Sequence, residues 1–92
     1  MPGCDASGRN AVAEGYNTEA SGNYGSHAEG HCTDAIGDDS HTEGDGTLAL
    51  NDHEHAEGTY NVSNTGSASK TTRHSIGIGG NSSTRKNAFE VM

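Results

Sequence analysis

Repetition is the strongest constraint on this chain. "SHAEG" at Ser26–Gly30 returns as "SHTEG" at Ser40–Gly44 and "EHAEG" at Glu54–Gly58, and "AVAEG" at Ala11–Gly15 ends in the same way. The motif glutamates Glu14, Glu29, Glu43 and Glu57 are spaced by 15, 14 and 14 residues. A looser motif alternates with them: "ASG" at Ala6–Gly8 and Ala20–Gly22, "AIG" at Ala35–Gly37 and "ALN" at Ala49–Asn51. The unit is therefore 14 residues, and the longer gap is read as one inserted residue, most simply Gly25 in "NYGSHAEG".

A short segment closed by glycine, repeated at this length, translates into extended chain, turn, extended chain, turn. That is one coil of a β-solenoid. Gly8, Gly15, Gly22, Gly30, Gly37, Gly44 and Gly58 are assigned to the turns, where glycine supplies positive φ without a side-chain clash. Coils would stack about 4.8 Å apart, the spacing of hydrogen-bonded strands. A helix would be broken every turn or two by so regular a glycine spacing. The fold class expected is all-β.

Composition alone points the other way. Only 28% of the 92 residues are hydrophobic, with one Phe, three Tyr and no Trp, too little apolar area to offset the entropy of ordering an ordinary globular domain. Regular Ala, Gly and Ser instead suit backbone hydrogen bonding and close stacking, with the missing burial supplied by association of several copies. The formal charge of −8 disfavours nucleic-acid phosphates and anionic membranes as partners. Lys70, Arg73, Arg85 and Lys86 follow late in the chain, after Arg9 alone. Cys4 and Cys32 form no CxxC pair and are read as solvent-facing thiols, with an intrachain disulfide left open. No apolar run is long enough to span a membrane, and Met-Pro-Gly-Cys does not begin a secretory signal.

Over residues 4–66 the Ser-x-Ala-x-Gly and Ala-x-Gly half-units resemble the head repeats of trimeric autotransporter adhesins (YadA-like, Hep_Hag type). The His-Ala-Glu-Gly form resembles repeats of bacteriophage tail fibres and tail spikes. "HSIGIGG" at His74–Gly80 looks like a further unit, and "RKNAFEVM" at Arg85–Met92 like the stretch leading out of such repeats. The resemblance implies a left-handed parallel β-roll, three chains intertwined into a homotrimer, and a structural or receptor-binding role. Residues 1–80 are accordingly expected to form about five coils, and residues 81–92 an exit segment leading to a C-terminal region beyond the chain.

In the typical repeat, the two x positions carry apolar residues. Here they are His27/Glu29, His41/Glu43 and His55/Glu57, with Val12/Glu14 in the first unit. Residues i and i+2 of a strand share a face, so ladders of His and Glu should run along the rod. If that face points inward, the two must satisfy one another; if the roll is turned, the Ala/Ser face packs and His/Glu meets water. A one-residue slip would swap the faces, so either arrangement fixes register. In "DHEHAEG", His53 and His55 form His-x-His. The resemblance to phage fibres implies that three such pairs could hold iron, nickel or zinc on a trimer axis, unless His53 lies in a loop.

Asp38, Asp39 and Asp45 in "GDDS" and "GDGT" are read as turn residues bonding their own backbone, since the calcium nonapeptide is absent. Regular recurrence of Ser, His and acids argues against a unique catalytic constellation, and "GIGG" at Gly77–Gly80 lacks a nucleotide fingerprint, so no enzyme is expected. Two functions remain. One is a rigid trimeric spacer of a tail fibre or adhesin, on a virion or bacterial surface, with Tyr16, Asn17, Asn23, Tyr24, Tyr60 and Asn61 exposed to a host glycan or protein. The other is a self-assembling filament or scaffold stacked end to end.

Overall fold

The structure is a computed structural model that describes residues 3–66 and 71–92. Among the described residues there are nine strands and no helix: β1 (Val12–Tyr16), β2 (Glu19–Ala20), β3 (His27–His31), β4 (Asp34–Ala35), β5 (His41–Thr42), β6 (Leu48–Ala49), β7 (His55–Thr59), β8 (His74–Ile78) and β9 (Asn87–Val91). Odd and even strands of the repeat separate into two sheets. One has the order β1-β3-β5-β7-β8-β9 and the other β2-β4-β6. Every repeat strand pairs in parallel with the equivalent strand one coil away, His27 with His41 and His41 with His55, Ala20 with Ala35 and Ala35 with Ala49. The result is a β-solenoid of about four turns.

The interior follows from strand alternation. His27 and Glu29 point out of β3 while Ala28 between them points in, and the inward column Ala28, Thr42, Ala56, Ser75 is completely buried. Ala20, Ala35 and Ala49 face it from the second sheet, also with no exposure. A methyl group returns only about 0.8 kcal/mol on burial, so this interior is narrow and half polar. Several of its hydroxyls bond to the backbone beside them: Thr33 Oγ1 donates to the Glu29 carbonyl and Thr47 Oγ1 to that of Glu43, both at 3.0 Å, whereas Thr42 Oγ1 has no partner among the described residues.

The two glycine series do different jobs. Gly15, Gly30, Gly44 and Gly58 have φ between 93° and 112°, as expected for turn glycines. Gly8, Gly22 and Gly37 do not have positive φ; a Cβ there would strike the backbone carbonyls of Gly22, Gly37 and Asn51 in the next coil, so these positions are small because coils stack closely. The other positive-φ sites of each turn are filled mostly by other residues, in columns Asn10, Gly25, Asp39, His53 and Asn17, Cys32, Gly46, Tyr60. Gly25 thus occupies a regular position. The register offset changes from 14 at Asp5↔Glu19 to 15 at Arg9↔Tyr24, while Gly8 still stacks on Gly22, which makes Asn23 the inserted residue.

After β7 the pattern ends. Where a further even strand would pair with β6, the buried Asn61 presents its amide to both backbone groups of Leu48. β8 continues the larger sheet. Residues 81–92, expected as an exit segment, contain β9, which turns back and pairs antiparallel with β8, His74 opposite Val91 and Ile76 opposite Phe89. Of the late basic residues, Lys70 lies outside the described residues. Arg85 is held in the fold: its guanidinium donates to the Gly46 carbonyl at 2.7 Å and lies 5.5 Å from the Tyr60 ring centre.

Candidate functional site: the histidine–glutamate face

The outer face of β3, β5, β7 and β8 carries four imidazoles in one column. His27, His41, His55 and His74 stack at centroid distances of 4.7, 4.9 and 4.8 Å, within 4° of parallel. The parallel ladder produces this directly, because equivalent residues of successive coils repeat at the interstrand spacing. Phe89 of β9 closes the column edge-on, 5.8 Å from His74. Beside it runs the column Glu14, Glu29, Glu43, Glu57. The imidazoles are 34–38% exposed in the single chain, and the Ala/Thr/Ser column backs them from inside.

The pairing along the face is uneven. His27 Nε2 lies 3.4 Å from Glu14 Oε1 and 3.2 Å from Glu29 Oε2, and His55 Nε2 lies 3.1 Å from Glu43 Oε1. His41 and His74 are 3.6 and 3.8 Å from the nearest carboxylate, beyond hydrogen-bond reach, and their Nε2 atoms have no partner among the described residues although buried from solvent. Apolar residues flank this polar stretch: Val12 at one end, and Ile78, Phe89 and Val91 at the other, each between 44% and 52% exposed.

His53 and His55 do not share a strand face. His53 sits in the preceding turn at φ 64°, largely exposed, with its Nε2 3.7 Å from Asp39 of the neighbouring coil, whereas His55 belongs to the imidazole column. Strand geometry therefore does not aim the two rings of one chain at a common point. Asp38 and Asp52 bridge coils, accepting from the backbone N–H of Asn23 at 2.7 Å and of Asp38 at 3.0 Å. Asp45 instead meets His31 Nδ1 at 3.0 Å. Cys4 and Cys32 are both free thiols, partly buried.

The proposed contact residues divide. Tyr16 and Tyr24 are about half exposed, Tyr16 stacked on His31 and Tyr24 under the Arg9 guanidinium at 5.3 Å. An open groove of about 490 Å³ is lined by Ser7, Gly8, Arg9, Asn23 and Tyr24, around the inserted residue. Asn61 is the exception: fully buried, it is a structural amide and offers no surface.

One residue the repeat count passed over is Glu54, which replaces the Ser of Ser26 and Ser40 and is buried to 1% exposure. Its Oε1 accepts from the Asn51 N–H and side-chain amide and from Ser63 Oγ, while Oε2 has no partner among the described residues. Burial pushes its carboxyl above the ordinary range, only partly opposed by those bonds. Burial, reinforced by Glu19, also raises Asp34 in the acidic run Asp5–Glu19–Asp34 of the other sheet, and Arg85 opposes this. The signal for Glu54 was visible in "EHAEG", where a charged residue occupies the small serine position.

Searches of curated proteins and of solved structures returned no match. A family model does match: residues 6–26 correspond to two copies of the YadA head domain repeat, a structural adhesin domain and not an enzyme family. That interval contains β1 and β2 and ends one residue before His27, the first imidazole of the column, and it carries a YadA-like head repeat.

Proposed function

We propose that this chain is a rigid, receptor-presenting segment of a trimeric surface fibre, an adhesin or a phage tail fibre, built from a left-handed β-roll of three associated copies. The observation that carries the reading is the outer face of the larger sheet. Its half-buried His/Glu columns are flanked by exposed Val12, Ile78, Phe89 and Val91, while the coil interior contains little beyond Ala, Ser and Thr. A face of this kind gains most by being covered, and the YadA head repeat in residues 6–26 makes further copies of the chain the natural cover. The turns lie away from that face. There the groove between Arg9 and Tyr24, with Asn23 beside it, offers an aromatic ring, a guanidinium and an amide, groups suited to a sugar or a polar protein surface. Threefold display would multiply a weak contact.

The absolute mass of the protein in solution tests this. A species near three times 9.4 kDa is expected. A stable folded monomer overturns the reading.

One observation favours an end-to-end scaffold as the second reading. Among the described residues β1 is the edge of its sheet and pairs only with β3, leaving the ladder open at that end. The antiparallel β9 covers the opposite end and leaves no parallel edge there to continue a head-to-tail stack. Open-ended particles in place of a defined trimer would favour the scaffold.

A further inference from the structure

His41, whose Nε2 has no partner among the described residues, belongs to two overlapping donor sets. His27, Glu29 and His41 form one, and His41, Glu43 and His55 the other; in each, one ligand atom per residue lies within 4.8 Å of the other two. We propose that this face binds a divalent transition-metal ion of the zinc, cobalt or nickel class, one per chain, with His41 as the obligatory ligand. Both donor sets lie within a single chain, so no ligand from a second copy is needed.

The chemistry of the donors selects the ion. Two imidazoles and a carboxylate suit borderline metals, whereas calcium and magnesium prefer all-oxygen shells. Two ligands of one tetrahedral zinc, each about 2.0–2.1 Å from it, sit about 3.4 Å apart. The His27 Nε2–Glu29 Oε2 distance of 3.2 Å and the Glu29 Oε2–His41 Nε2 distance of 3.6 Å bracket that value. In the second set, His55 Nε2 is 3.1 Å from Glu43. The stacked rings must tilt toward one another for both nitrogens to reach one ion, so binding opens the stack at that step. The side chains are about one-third exposed, and the same tilt of the rings uncovers the buried His41 Nε2 for the ion.

Charge acts in the same direction. Glu14, Glu29, Glu43 and Glu57 line the column on a chain of net charge −8, so the face attracts cations. Because both sets share His41, filling either excludes the other, which sets the stoichiometry at one.

The test is calorimetric titration of tag-free protein with zinc chloride, and separately cobalt chloride, at about pH 7.5, where the proton competes weakly for imidazole. One equivalent is expected, undiminished by excess calcium. His41→Gln should weaken binding at least about tenfold, and His53→Gln should leave it unchanged. Should His41→Gln fail to fold by circular dichroism, the Glu29→Gln/Glu43→Gln double variant, which keeps every imidazole, should show the same weakening. No saturable binding of either metal, wild-type affinity in the variants of the two donor sets, or loss of binding in His53→Gln would each overturn the assignment.

Discussion

Leu48 and Asn61 are bonded as two strands would be: the Leu48 N–H donates to Asn61 Oδ1 at 2.7 Å, and Asn61 Nδ2 donates to the Leu48 carbonyl at 3.0 Å. One side chain thus closes the edge of β6. Asn87 does the same for Val62, at 2.8 and 3.0 Å. These amides replace the missing coil where the repeat ends, and they keep buried backbone groups from losing water without a partner.

Asn61→Ala should therefore destabilise the fold by about 2–3 kcal/mol, because Leu48 and Ser75 lose their partners together. Asn61→Thr, which restores the Thr18–Thr33–Thr47 column, recovers side-chain volume but not both Leu48 bonds, and should remain at least about 1 kcal/mol below wild type. Urea unfolding of the two variants checks both values. Equal stability of Asn61→Ala and wild type would show that the amide closes nothing.

Much of this architecture was legible in the repeat, and its terminus was not. Period, strand-and-turn character and the shared His/Glu face follow from i, i+2 alternation and a 14-residue spacing. Local pattern could not show that Gly25 is a regular turn residue and Asn23 the insertion, because both lie in one polar turn and only the coil-to-coil register separates them. Nor could it show that Asn61 is buried: Asn reads as a surface residue until the sheet edge it completes is known. The His-x-His spacing suggested a shared strand face, but the turn before β7 keeps His53 at positive φ and breaks the alternation.

A glycine stacked against the next coil and one outside the stack can be told apart by mutation. At Gly30, φ is 107° and a Cβ would meet the Gly44 carbonyl, so Gly30→Ala combines backbone strain with a collision. The expected loss exceeds about 2 kcal/mol. At Gly80 the nearest atom to an added Cβ is Thr84 Oγ1 at 3.5 Å, and Gly80→Ala should stay within about 0.5 kcal/mol of wild type. Thermal melts of the pair suffice, and similar losses in both would contradict the stacking account.

Cys4 occupies the column of Thr18, Thr33 and Thr47, and the Thr18 hydroxyl donates to its sulfur at 3.3 Å. That bond is the main reason the thiol lies below its ordinary pKa of 9.0. Thr18→Val removes the donor, so the thiolate fraction near neutral pH falls and Cys4 should react more slowly with iodoacetamide. Mass spectrometry of peptides at timed intervals measures the rate. An unchanged rate would mean that the hydroxyl does not reach the sulfur in solution.

Glu54 gives the fold a pH dependence of unusual sign for a carboxylate. Its folded pKa is raised above the ordinary 4.5, chiefly by burial, so the folded state holds a proton that the unfolded chain has already released. Above the folded value, keeping this group charged in the interior costs stability. As pH falls through the folded value toward 4.5, that cost is progressively relieved, and the contribution of Glu54 rises to its full extent below the unfolded value. A carboxylate with a depressed pKa would do the reverse. The other acidic residues titrate in both proteins, so the informative quantity is the difference between wild type and Glu54→Gln, which keeps the acceptor for Asn51 and Ser63 without the charge. Glu54→Gln should be the more stable at neutral pH, by about 1–2 kcal/mol, with the gap closing as pH approaches 4.5. Urea unfolding of both proteins across that range measures it. A gap that stays constant with pH would show that Glu54 does not titrate differently in the two states, and a gap that widens toward acid would reverse the sign argued from burial.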